Sequence, residues 1–501
     1  MNNPLKPALD KKTRKFKEYN SYNLQSNNYY LLPFRFIRLD EQNELLVNEV
    51  GDFLIVSSGT VERIVNKKLD KISDEELYAD LIAAFFISET PIPALLDVIS
   101  TRYRTKKSFL DHFTALHIFV ISLRCEHTCH YCQVSRVSEN KKAFDMQRHH
   151  IDKGIDLMMK SPNPHITMEF QGGEALLAFE NITYAVIQAK EKAMLLNKKI
   201  SFVICTNLAV ITDEMLKFCK EHEILISSSL DGPSFIHNKN RHRNGNNSYE
   251  LAVKGIEESR QVLGFDRVSA LLTTTNLSLL YPHEIVDEYY KLGFRNIFLR
   301  PISPYGFANY NERKNHYKTS EFLDFYKKAL DKIIELNLRG EFFREDYAAI
   351  ILRKILTPFP VGYVDLQSPA GMINSVIVFN YDGKVYATDE ARMLAETKDY
   401  TFELGSLDTH SYEELFYGDK ARFFSDAWTN ESLPGCSECA LQSYCGADPV
   451  FNYATQGTFI GHRPTSSFCE RNMAIIKHLF LLMEKDARIK TIFRTWITGN
   501  N

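Results

Sequence analysis

The chain has 501 residues, of which 44% are hydrophobic and 25% charged, and its formal net charge is -3. That length calls for two or three domains, and the near-neutral balance excludes a dominant nucleic-acid footprint. No run of about 18 apolar residues is present, so no membrane span is expected.

Residues 1–28 are rich in Lys, Asn and Ser, lack the apolar core of a signal peptide and read as a mobile tail. Nine cysteines are too few for a disulfide scaffold. Seven of them fall in two clusters, which favours metal binding in a cytoplasmic chain.

Residues 29–110 read as a small α+β domain. YYLLPFRFIRL and ELLVNEVGDFLIVS are strand patterns with turns at Asp40–Asn43 and Gly51–Asp52. TVERIVNKKL and SDEELYADLIAAFFI are amphipathic helix patterns, the second opened by a capping box of Ser73 and Glu76.

Between 111 and 345, strand and helix patterns alternate. The strands are HIFVISLR, HITMEFQG, KISFVICTN, ILISSSLDG, RVSALLTTT and NIFLRPI, with helical stretches near 146–160, 180–196, 212–222, 248–263 and 282–293. Such alternation predicts a parallel sheet with right-handed crossovers, and six strands predict a partial barrel. In that architecture chemistry gathers at the C-terminal ends of the strands.

The first strand runs into Cys125, Cys129 and Cys132, spaced C-x3-C-x2-C. Three thiolates on one loop can hold three corners of an iron–sulfur cubane and leave its fourth iron open. A zinc site completed by His127 or His130 would use the same donors. The second strand ends in Gln171–Gly172–Gly173–Glu174. Its glycines permit close backbone approach to a ligand, and Glu174 can accept hydrogen bonds from an ammonium group, although any tight strand–helix turn has this composition. The third strand ends in Thr206–Asn207. The fourth ends in Ser229–Leu230–Asp231–Gly232–Pro233, followed by His237, Asn240, Arg241 and Arg243, and Asp231–Gly232–Pro233 also reads as a plain turn. The sixth ends in Arg300–Pro301–Ile302.

Residues 346–478 open a third region. SVIVFNYDGKVYATDEARML is a hairpin with its turn at Asn380–Gly383. Cys436, Cys439 and Cys445 follow as C-x2-C-x5-C, with Cys469 24 residues later. Four thiols suit a fully ligated cluster or a zinc ion. Cys205 and Cys219 fall in strand and helix patterns and read as core residues. Residues 479–501 complete an amphipathic C-terminal helix assigned to packing.

The C-x3-C-x2-C loop, with Tyr131 before its last cysteine and QGGE one β–α unit later, resembles the radical S-adenosylmethionine (SAM) superfamily. The resemblance implies a [4Fe–4S] cluster on Cys125, Cys129 and Cys132 whose open iron binds SAM. It implies SAM contacts from Tyr131, Gln171, Gly172, Gly173, Glu174, Asn207, Ser227, Ser229 and Arg243, and places Arg300–Ile302 beside adenine or substrate.

The C-terminal region is similar to SPASM domains, which carry auxiliary clusters. Cys436, Cys439, Cys445 and Cys469 follow the order of the second auxiliary cluster. Three cysteines of the first are replaced here, by the SPAGM segment, Thr388 and Pro449, so one auxiliary [4Fe–4S] cluster is expected. Sulfatase-maturing relatives carry an aspartate after the cysteine that Thr388 replaces. Asp389 is therefore the expected catalytic base, helix capping being its other reading.

LLVNEVGDFLIVSSGTVERIV resembles the PqqD-like winged helix that binds leader peptides by strand addition, a packing domain being the alternative. LLPFRFIRLDE…NEVGDF, PISPYGFA and CGADPVFNYATQGTFIGHRPTSSFC resemble HxsB-type maturases of the His-Xaa-Ser system across nearly the whole chain. The resemblances together imply an α/β protein: a partial (β/α)6 TIM-type barrel, an N-terminal winged-helix-like α+β domain and a C-terminal SPASM-like iron–sulfur domain. The implied activity is reductive SAM cleavage, with the 5′-deoxyadenosyl radical used to cross-link a ribosomally made precursor peptide. An external electron donor and a second radical SAM maturase of the pathway are the implied partners, with no nucleic acid and no membrane. Radical chemistry on a small molecule or RNA, and a non-catalytic iron–sulfur carrier or regulator, are the readings from other classes.

Overall fold

Five apolar, β-branched runs form one parallel sheet, the behaviour expected of strands buried on both faces. The computed structural model describes residues 29–498 except Ile92, Phe307, 309–314 and Ala427, and the tail expected at 1–28 lies outside them. The chain divides into two compact units between Ile99 and Ser100.

In the first unit β1 (Phe34–Arg38), β2 (Asn43–Asn48) and β3 (Phe53–Ser57) form an antiparallel sheet. The Asp40 carboxylate accepts the backbone N–H groups of Gln42 and Asn43, both at 2.8 Å, and sets the first turn. Pro33 separates β1 from the pair Tyr30–Leu31, which joins Ile87–Ser88 instead. Helices α1 (Thr60–Val65) and α2 (Glu75–Ala83) follow, and Ile64, Tyr78 and Leu81 belong to the core against the sheet residue Leu46. The expected Ser73–Glu76 capping box does not form. Asp70 takes the Ser73 N–H at 2.9 Å, and α2 starts one residue later than that box requires, from Asp74. Helix α3 (Pro93–Lys106) then leads on.

The second unit is built on β4 (Leu116–Ser122), β5 (His165–Gly172), β6 (Lys199–Thr206), β7 (Leu225–Ser229) and β8 (Val268–Leu271). Neighbouring strands are parallel in the order β8-β7-β6-β5-β4. The helices between them include α4 (Arg148–Met159), α5 (Phe179–Leu195), α6 (Asp213–Glu221), α7 (Ser234–Asn240), α8 (Ser248–Leu263) and α9 (Pro282–Lys291).

The sixth expected strand departs from this sheet. Only β9 (Asn296–Ile297) is regular, and it pairs, beyond α10 (Thr319–Leu338), with β10 (Arg344–Glu345). It reaches the barrel through one bridge, Thr274 to Pro301, where the Thr274 N–H meets the Arg300 carbonyl at 2.9 Å. Pro301 has no N–H with which to continue a ladder. Buried Glu345 also holds this segment apart, accepting the Leu299 N–H at 3.1 Å and the Tyr326 hydroxyl at 2.6 Å.

After α11 (Asp346–Leu356), the C-terminal hairpin adds to the other edge of the same sheet. Strand β11 (Val376–Phe379) runs parallel to β4, and β12 (Lys384–Tyr386) and β13 (Glu403–Ser406) continue antiparallel around α12 (Asp389–Ala395). The remaining helices include α13 (Tyr412–Tyr417), α14 (Asp419–Asp426), α15 (Pro449–Gln456), α16 (Ser467–Lys485) and α17 (Ala487–Thr498). The expected single terminal helix is thus two, broken where extended Asp486 accepts the Arg488 N–H at 2.8 Å. Among the described residues no helix is long and apolar enough to cross a membrane.

Candidate active site and two cysteine clusters

The cysteine loop leaves β4, the first strand of the barrel, and is held by other parts of the chain. Arg124–Cys125 pairs in parallel with Val137–Ser138, closing the loop at its base. The Thr128 N–H meets the His242 carbonyl at 2.6 Å, and His127 bridges to Arg243. On another side Asn315 donates to the His130 carbonyl at 3.1 Å. Gly306 packs so closely that a Cβ there would lie 2.2 Å from the Gln133 carbonyl oxygen.

Tyr131 turns inward and donates to Asp231 at 2.6 Å. The Arg241 guanidinium lies 3.2 Å from the same carboxylate and 5.5 Å from the Tyr131 ring centroid. The Asp231–Gly232–Pro233 segment is therefore more than a turn: Asp231 and Arg241 clamp the loop. Neither stood among the expected site residues, although the SLDGP…N.R spacing was a signal for both.

The donor set fits an iron–sulfur cluster. Burial pushes the Cys129 thiol up to about 12, with Cys132 and Asp231 adding and Arg241 opposing, and burial also raises Cys125. Buried thiols of this kind ionise only where a metal supplies positive charge. Sulfurs around one zinc would sit about 3.8 Å apart at Zn–S bonds of about 2.3 Å. Among the described residues the potential ligand groups converging within 4.8 Å are Cys125–Glu126–His127 and His149–His150–Asp408, not the three cysteines. Cys125–Glu126–His127 is already knit together, with His127 Nδ1 2.8 Å from Glu126 and the Asn207 amide donating to Glu126 at 2.9 Å.

The neighbouring strand ends meet the loop through QGGE. Gly172 has φ +148°, and a Cβ there would lie 1.8 Å from the Ser122 carbonyl oxygen; at Gly173 it would lie 2.4 Å from that of Arg124. The two glycines therefore admit the chain's own backbone: the Gly173 and Glu174 N–H groups bond these carbonyls at 2.9 and 2.7 Å. Glu174 is fully buried and accepts from the Thr206 hydroxyl at 2.6 Å and the backbone N–H of Asn207 at 2.8 Å and Leu176 at 3.0 Å. It ties the second and third strand ends together. Burial raises it to about 7, and the charge of Glu126 adds to this.

Gln171 donates to Glu169 at 2.6 Å, and Arg243 donates to Asn247 at 2.8 Å. Ser227 and Ser229 are half-buried on β7, Ser227 near Cys205. Around the loop, Glu126 Oε2, His127 Nε2 and Arg243 Nε are buried without a partner among the described residues. Such orphaned atoms in one place mark a polar ligand's position.

In the C-terminal region Cys439, Cys445 and Cys469 lie close enough to Cys436 to oppose its ionisation, and Cys439 and Cys445 do the same to Cys469. Burial pushes Cys436 up to about 12 and Cys469 up to about 11. Neither clustered set is in a disulfide. The Asn472 amide faces Cys445 Sγ at 3.8 Å, and half-buried Lys354 donates to the Cys445 carbonyl at 2.7 Å.

At two of the three positions where the first auxiliary cluster's cysteines are missing, the chain has ordinary helix starts. Thr388 caps α12, its hydroxyl accepting the Ala391 N–H at 3.0 Å. Asp448 caps α15 by accepting the Phe451 N–H at 2.8 Å, with Pro449 in the first turn. The cap of DEARML is thus Thr388, and Asp389 instead accepts from Arg392 at 3.2 Å.

The family model of the radical SAM superfamily matches residues 119–292. A protein of unassigned activity from Methanothermobacter thermautotrophicus is 33% identical over 38% of this chain and 69% of its own length. The cysteine-type anaerobic sulfatase-maturating enzyme of Clostridium perfringens is 24% identical over 66% of this chain and 90% of its own. The crystal structure of Streptococcus suis SuiB bound to its precursor peptide SuiA is similar in fold, with TM-score 0.52 and 14% identity over 88% of this chain and 100% of that one. The chain belongs to the radical SAM superfamily. It is an enzyme of the kind that includes peptide and sulfatase maturases.

Proposed function

We propose that this enzyme cleaves SAM reductively and uses the resulting radical to cross-link a ribosomally synthesised peptide, one with His-Xaa-Ser repeats. The observation that carries the reading is the three-thiol loop at the end of β4, clamped by Asp231 and Arg241 and packed against QGGE. Cys125, Cys129 and Cys132 would hold a [4Fe–4S] cluster. Tyr131, Gln171, Gly172, Gly173, Glu174, Asn207, Ser227, Ser229 and Arg243 form the surroundings offered to SAM. When bound, the cluster and SAM would supply one-electron cleavage of a sulfonium and removal of hydrogen from a substrate C–H bond.

The chain's own residues shield and orient that chemistry. Tyr131, Asp231 and Arg241 fix the loop, while Glu174 fixes the strand ends that face it. Asp389, held by Arg392, would accept the proton the substrate loses. Cys436, Cys439, Cys445 and Cys469 would hold an auxiliary [4Fe–4S] cluster with every iron ligated. The SuiB–SuiA complex supports a peptide substrate. The LLPFRFIRLDE, PISPYGFA and CGADPVFNYATQ segments support the His-Xaa-Ser system, with an external electron donor and a second maturase as partners.

The test is coexpression with a His-Xaa-Ser precursor peptide, read by mass spectrometry, together with 5′-deoxyadenosine release from the reduced, iron-loaded chain. Loss of two hydrogens from the peptide is expected. No 5′-deoxyadenosine would overturn the enzyme reading, and its release with an unmodified peptide map would overturn the substrate.

A further inference from the structure

Beside the cysteine loop lies an acidic cavity that the reading above does not use. It measures about 40 Å³ and is lined by Asp365, Glu390 on α12 and Asp448 at the start of α15. Arg300 and Arg471 line it too, so the three carboxylates exceed the two guanidiniums, and Asp389 adds a further negative charge next to Glu390.

The carboxylates are poorly compensated. Arg300 Nη2 approaches Glu390 only to 4.0 Å. Asp365 receives the Tyr363 hydroxyl at 2.9 Å, and Asp448 the Phe451 N–H at 2.8 Å, both from neutral donors. Burial, reinforced by Asp365, pushes Glu390 up to about 8 and Asp448 up to about 7.

A second observation is independent of charge. Tyr305, 2% exposed, lines the same cavity, and its buried hydroxyl has no partner among the described residues. A native fold rarely leaves such a group unpaired unless a ligand completes it.

The cavity is placed for substrate. Gly306, next to Tyr305, packs on the Cys132 and Gln133 carbonyls. Arg392 on α12 donates to the Val134 carbonyl at 3.3 Å, joining the helix of Glu390 to the end of the cysteine loop. A groove of about 750 Å³ adjoins the cavity, sharing Pro301, Ile302, Ser303, Phe322, Phe451 and Arg471 with it. Glu390 stands two residues after Thr388 and Asp448 one before Pro449, so the carboxylates flank two positions where cysteines of the first auxiliary cluster are missing. The three carboxylates are not among the groups converging within 4.8 Å, so they do not cage a single metal ion. Dispersed charge with a hydroxyl acceptor suits an organic cation instead.

We propose that this cavity is a subsite for a substrate side chain ending in a cationic nitrogen, with Glu390 and Asp448 taking its charge and the Tyr305 hydroxyl accepting one of its N–H groups. It rests on the peptide-substrate reading.

The iron-loaded full chain would be titrated calorimetrically with N-acetyl-Gly-X-Gly-amide peptides in which X is lysine, arginine, histidine, norleucine or glutamate. At least one cationic X is expected to bind about tenfold tighter than norleucine, with the preference lost in Glu390→Gln and Asp448→Asn. Tyr305→Phe keeps ring and volume and is expected to weaken the cationic peptide about threefold, which guards against a misfolded carboxylate variant. Equal binding of norleucine, or a preference unchanged in both Glu390→Gln and Tyr305→Phe, would overturn the subsite. Ethylguanidinium or butylammonium binding without peptide binding would support the cavity and overturn the peptide reading. Peptide-stimulated 5′-deoxyadenosine release without any cation preference would overturn the cavity alone.

Discussion

The two cysteine clusters use the same side chain in opposite ways. Cys125, Cys129 and Cys132 come from one short loop at the end of the first barrel strand, and the distant segment at 231–243, with Gly306 and Asn315, holds that loop in place. Cys436, Cys439, Cys445 and Cys469 are drawn from a 34-residue span of turns, α15 and the start of α16, where Ser466 caps the helix by accepting the Cys469 N–H at 3.3 Å. Three thiols leave one corner of a cubane open to a ligand, whereas four close it. In the proposed function the first set would hold the cluster that faces substrate and the second a cluster that carries electrons.

The largest effect expected from breaking this contrast is at the first cluster. Cys129→Ala should lower SAM cleavage by at least about 100-fold and halve the iron from about eight to about four per chain. Cleavage retained near wild type would remove the loop from the chemistry. Cys439→Ala should also halve the iron, yet keep SAM cleavage within about tenfold while peptide product disappears. Equal loss of both activities would show that the clusters do not divide the work. Zinc bound to either set in anaerobically purified protein would count against a cubane there.

Backbone and cap changes probe the same two regions more gently. Gly172→Ala drives a Cβ into the Ser122 carbonyl and should cost about 2–4 kcal/mol, seen as a lowered denaturation midpoint with poorer iron loading. Thr388→Ala, in the C-terminal region, should cost only about 1 kcal/mol, because it removes one helix cap. A larger loss at Thr388 than at Gly172 would invert the comparison.

The smallest effect is one of pH. Glu390 is faced by Asp365, Asp389, Asp448 and Arg300, and burial holds its carboxyl protonated up to about 8. A protonated carboxyl does not attract a cation, so affinity for a cationic peptide should rise as pH increases through about 7 to 8. The bound cation itself favours the ionised form, which shifts the rise to lower pH. A flat profile between pH 6 and pH 9, by calorimetry in about 0.1 M salt, would exclude Glu390 from the contact.

Much of the architecture was legible in the sequence. Five of the six barrel strands were visible because strands buried on both faces must be continuously apolar, and that pattern is local. The hairpin was visible from its turn residues, and both cysteine sets from spacing alone. The sixth strand misled because its apolar run has strand composition, while its pairing is decided by Pro301 and by the distant Glu345 carboxylate. The Ser73 capping box misled because Asp70 competes for the same N–H group.

By itself, then, the sequence determined which residue types sit at which strand ends, because thiol spacing and glycine placement are written along one short stretch. Tertiary structure alone decided the partners. It turned the glycines of QGGE toward the chain's own carbonyls and made Glu174 a strap between strand ends. It brought Asp231 and Arg241 onto Tyr131 from about 100 residues away. It also gathered Asp365, Glu390 and Asp448, far apart in the chain, around Tyr305. Long-range electrostatics and burial depend on which surfaces meet, and no local pattern records that.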